Sequence, residues 1–70
     1  MTKFEKAVKT RLLEMGKTQR WLMVQVSKVY DGVLNPVVIN QAIKGENNIY
    51  PRVKIAIAGV LNINAKEINN

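Results

Sequence analysis

Asn40, Gln41 and Lys44 lie close together in the stretch NPVVINQAIKG, residues 35–45, which contains no acidic residue. A side-chain amide holds a donor and an acceptor in fixed geometry, so it can pair bidentately with the N6 and N7 atoms of adenine. A lysine beside it suits a phosphate. Val37 and Val38 just before them would suit the apolar group of a DNA major groove, the thymine methyl. These residue types favour recognition over catalysis. The chain has no histidine and no cysteine to act as base, nucleophile or metal ligand. Its five acids, Glu5, Glu14, Asp31, Glu46 and Glu67, are scattered without paired spacing, and there is no Gly-rich phosphate loop. The expectation is a protein that is not an enzyme and takes no cofactor or metal.

The charge points the same way. Eleven Lys and Arg against five acids give a net charge of +6 and a pI near 10. In a small domain that favours a polyanionic partner, with nucleic acid first. At 70 residues the chain makes one domain, residues 1–70, whose core must come from aliphatic packing without disulfides. No apolar run approaches the roughly 20 residues of a membrane span. MTKFEKAVKT lacks the apolar centre of a secretory signal. A cytoplasmic location is expected, with no membrane partner.

The elements that position these side chains follow from helical spacing. Phe4, Val8, Leu12 and Met15 form one stripe over residues 3–15, and Gly16 ends that helix. Thr18 suits an N-cap for a second helix carrying Leu22, Val26 and Val29 and running to Tyr30 or Asp31 before Gly32. In the third helix Asn35 is the cap, Pro36 the first position and Gly45 the residue past the end. Ile39, Ile43 and Ala42 point inward. Pro51 opens a fourth helix over 51–61 with Val53, Ile57, Ala58 and Leu61 inside. NAKE, residues 64–67, starts a short fifth turn with Ile68. The β-branched run from Val53 to Gly59 leaves a strand as the alternative. Trp21 is expected at an edge between the first two helices.

Two helices joined by a Gly-containing turn in a basic domain of this size form a helix-turn-helix arrangement. Its second helix must be short, polar outside and anchored from behind to enter a major groove about 12 Å wide. Ile39 and Ile43 supply the anchor. Arg20, Lys28, Lys44, Arg52 and Lys54 flank the motif and are the expected phosphate ligands. Lys3, Lys6 and Lys9 read as a solvated face.

Three motifs add a resemblance. KTQRWL, residues 17–22, looks like the second-helix opening of the XRE, or Cro/CI-like, phage-repressor family, with Thr-Gln followed by Leu three residues after the Gln. INQAIKG, residues 39–45, resembles the end of that family's recognition helix, and AGVLNIN, residues 58–64, the end of its fourth helix. The resemblance spans residues 8–68. It implies an all-α, four- to five-helix, lambda-repressor-like domain and a sequence-specific regulator that acts by operator occupancy in a bacterial host. By position, Gln19 would bind a backbone phosphate, Val37, Val38 and Gln41 would meet bases, and Lys44, Asn47 and Asn48 would lie near phosphates. Asn35, Asn40, Arg20 and Arg52 complete the expected DNA-facing set.

The chain departs from the family at one place. Val26 and Ile39 stand thirteen positions apart, more than the family's usual spacing, and SKVYDG reads as an insertion that lengthens the second helix and its turn. Together with the valine pair, it supports an alternative: a modulator or antirepressor that grips another phage regulator protein with the same face. A weak homodimer through Ile63 and Ile68 is also expected.

Overall fold

Each helix begins and ends where local chemistry dictates. The computed structural model describes residues 2–32, 34–45 and 49–64. Within them lie four helices and no strand: α1 Lys3–Met15, α2 Gln19–Val29, α3 Pro36–Lys44 and α4 Pro51–Leu61. The caps at Thr18 and Asn35 form as the sequence implies. Thr18 Oγ1 accepts from the Trp21 N–H at 3.1 Å, and Asn35 Oδ1 accepts from the Val38 N–H at 2.9 Å. Each satisfies one of the donors that a helix start leaves open. Gly16 and Gly45 end α1 and α3 with φ of 66° and 67°, a conformation that strains any residue with a Cβ. Asn62 does the same for α4 at φ 56°, helped by an Ile63 N–H to Ala58 C=O bond of 2.9 Å.

Burial decides the reading of residues 51–61. Val53, Ile57, Ala58 and Leu61 are inside, whereas Ile55 is 62% exposed. A strand would have placed Val53, Ile55 and Ile57 on one face. Pro51 meets the helix at its start, where its missing N–H is not needed. The fifth turn and Ile68 lie outside the described residues.

The core joins Phe4, Val8 and Leu12 of α1 to Leu22 and Val26 of α2, Ile39, Ala42 and Ile43 of α3, and the inward row of α4. α4 packs against all three other helices, while α1 lies on α3 and α4 and hardly touches α2. Two contacts set the register of α1 on α4. Arg11 donates from Nε to the Leu61 carbonyl at 2.9 Å, and the Lys54 ammonium lies 5.1 Å from the Phe4 ring centre. Both pairs are separated by 50 positions, so the two helices run parallel in step.

Helix ends and the packing of α1 on α4 explain three departures from the expected pattern. Met15 is 40% exposed because α1 continues a turn beyond Arg11, past the end of α4. Val29, the last residue of α2, is 68% exposed where the chain leaves the helix. Lys54, expected to meet phosphate, is instead buried at 8% exposure. Its ammonium rests on Phe4 and beside the C-terminal end of α3, where a cation is favoured.

The insertion contributes Ser27, Lys28 and Val29 to the last turn of α2, and its other three residues follow the helix. The helix stops at Val29, the Tyr30 N–H closes its last turn on Val26 C=O at 2.8 Å, and Tyr30 itself is extended. Gly32 acts after the helix has ended. A Cβ there would sit 2.6 Å from Cε2 of Tyr30, so a side chain at this position would displace the ring. Trp21 is half-buried against the core, with the Lys17 ammonium 5.4 Å from its ring centre. Ile63 packs partly on the domain's own core.

Candidate nucleic-acid interface

The face of α3 is set by its three buried residues. At about 100° per residue, Ile39, Ala42 and Ile43 define the inner side, and Val37, Gln41 and Lys44 fall within an arc of about 60° on the opposite side. All three are exposed, Val37 by 64%. Asn40 is exposed on one flank. Val38 lies on the other flank, half-buried and packed against the core. The valine pair is therefore split between an outward residue and one that helps seat the helix.

The start of α2 comes up beside the start of α3. Gln19, Arg20, Met23, Pro36 and Ile39 line a groove of about 330 Å³ between the two helix beginnings. Gln19 and Arg20 stand exposed at its edge, and Ile39 forms part of its floor with no exposed surface. The caps at Thr18 and Asn35 hold both helix starts, and backbone N–H groups there favour anionic partners. Asn35 is exposed, but its side-chain oxygen is engaged as the cap; only its amide NH2 remains for an outside partner.

The three helices α2, α3 and α4 carry charge of one sign only. α2, α3 and α4 contain no Asp or Glu, and Arg20, Lys28, Lys44 and Arg52 are exposed on them. None of these four makes an ion pair among the described residues. Lys44 also has a structural tie through its backbone, since its carbonyl accepts from the Thr2 hydroxyl at 3.0 Å. That bond fixes the end of α3 to the start of α1. Asn47 and Asn48 lie outside the described residues.

Two functional neighbours escaped the pattern reading. Lys54 follows Val53 and precedes Ile57, Ala58 and Leu61 at helical spacing, so the stripe itself included it. Its charge argued against burial, but a long side chain can cover apolar surface and carry its ammonium to an aromatic face. Thr2 gave no signal in sequence for its bond to Lys44. No family model matches the chain, and neither a curated protein nor a solved structure matches it.

Proposed function

We propose that this protein binds double-stranded DNA sequence-specifically through a helix-turn-helix formed by α2 and α3, as a small transcriptional regulator of the phage or mobile-element, Cro-like kind. The observation that carries this reading is the absence of acids from the helices α2–α4, which bear exposed cations, together with the outward strip of valine, amide and lysine on α3. α3 is short enough at nine residues to lie in a major groove. Lys44, Arg20 and Arg52 hold phosphates, Gln19 binds the backbone from the start of α2, and Gln41 with Asn40 reads base edges. The regulator acts by occupancy, covering an operator and excluding polymerase or a competitor.

Val37 favours one other reading. A valine this exposed at the centre of the face also suits a grip on another regulator protein. Fluorescence anisotropy on duplex DNA over a salt series separates the two. Neutralising about four to six phosphates gives a log–log slope of roughly −4 to −5. Absence of binding at about 50 mM salt would reject the DNA reading and leave the protein partner.

A further inference from the structure

We infer that the α3 face selects A·T base pairs at its central contacts, through the thymine methyl on Val37 and adenine on Gln41. The inference rests on the DNA-binding reading above and adds to it the class of sequence recognised.

The argument begins with what the face holds and lacks. Its outward strip is Val37, Gln41 and Lys44, flanked by Asn40. Guanine offers two acceptors in the major groove, and the side chains that match both are Arg and Lys. The strip has no arginine, and its lysine stands in the last turn of α3, past the amides. Cytosine offers an amino donor, best met by a carboxylate, and α2, α3 and α4 contain none. What remains at the centre is an amide and a valine. The amide satisfies both adenine groups at once, and the valine meets the methyl that only thymine carries.

The relative position of the two groups strengthens the case. Val37 and Gln41 are one helical turn apart on the same side of α3, so they address neighbouring positions along a groove. Both stand on a rigid support. Asn35 caps the turn that carries Val37, and Ile39 and Ile43 beneath are fully packed. A protein partner could also cover Val37, but Arg20 beside the start of α3 and Lys44 in its last turn complement phosphates at the two ends of the strip.

The test starts from a random-sequence duplex pool selected on the full-length protein. The recovered sites are expected to share an A·T core. Each thymine of the best site is then replaced singly by deoxyuridine, which keeps every hydrogen-bonding group and removes the methyl. At one or two positions the affinity should fall about fourfold, the transfer free energy of one buried methyl-sized group. Val37→Ala, an exposed change whose folding is checked by its melting temperature, should abolish that sensitivity while leaving the salt slope unchanged. A core of G·C pairs, or affinity indifferent to every deoxyuridine, overturns the inference while DNA binding stands. A pool from which no duplex binds overturns both, and capture of a protein partner by Val37 would then explain the face.

Discussion

Two concave surfaces of this domain carry cations, and they differ in the acids that stand beside them. The larger groove, about 420 Å³, runs along α1 past Lys3, Lys6 and Thr10 to Ile63. One acid, Glu14, stands among its cations and pairs with Arg11 at 3.6 Å; elsewhere on α1 Lys9 pairs with Glu5 at 3.3 Å. Arg11 also donates to the carbonyls of Leu61 and Asn62, at 2.9 and 3.2 Å, and so closes the end of α4. The smaller groove between α2 and α3 has no acid in its helices, and its one lining cation, Arg20, is exposed. Size is therefore a poor guide here. On α1 two of the four cations, Lys9 and Arg11, pair with acids of the same helix, while on α2 and α3 no cation pairs with an acid among the described residues.

The hardest way to break this contrast is to remove what holds the α3 face in place. Ile39→Ala and Ile43→Ala should each cost roughly 2 to 5 kcal/mol. A domain of this size has only about 5 to 10 kcal/mol in total. Thermal melting followed by circular dichroism should show a midpoint lowered by roughly 10 to 40 °C, or no folded baseline at all. A midpoint within a degree or two of the parent would mean that α3 is not anchored by these residues.

A smaller effect sharpens the division within α3 itself. Gln41→Ala should lose about 1 to 3 kcal/mol of discrimination at one base pair. The ratio of operator to scrambled-duplex affinity is the measurement, and an unchanged ratio would remove Gln41 from base reading. Lys44→Ala should instead weaken all duplexes alike and lower the salt slope by about one.

The α1 side should behave as structure. Arg11→Met keeps most of the side-chain stem and removes the bonds to α4. It should cost about 1 kcal/mol of stability, small for a charged donor because the group is partly exposed. Urea denaturation measures this, and the DNA salt slope should not move. Lys9→Ala should change both by the least, since a surface pair at helical spacing contributes about 0.3 to 0.5 kcal/mol. If Lys9→Ala lowered the salt slope as much as Lys44→Ala, the two surfaces would not differ as described.

Much of the fold could be read directly from residues. The caps at Thr18 and Asn35, the glycines after α1 and α3, and the inward rows of α3 and α4 all act locally, so spacing and cap chemistry reveal them. Met15 and Val29 show the limit of that method. Periodicity says which side of a helix is apolar, but not how far along it a neighbour extends. Lys54 shows a second limit, because its burial depends on Phe4, 50 positions away. On the candidate interface, spacing identified the outward α3 residues but could not distinguish Val37 from Val38. Only the packing on the flank of α3 separates them.

The parallel step between α1 and α4 also governs the order of assembly. Along the chain, α1 is made first, yet its packing partners are α3 and α4, and the bonds that secure it reach Lys44, Leu61 and Asn62. Until those residues exist, α1 is an amphipathic segment of thirteen residues with no surface to lie on, and an isolated helix of that length is marginal in water. Contacts this distant in sequence slow a chain of its size relative to a bundle of successive neighbours. During synthesis α2 and α3 emerge before α4, the helix that packs against both of them. The full native packing of α1, α2 and α3 therefore requires α4, the last of the four helices to emerge.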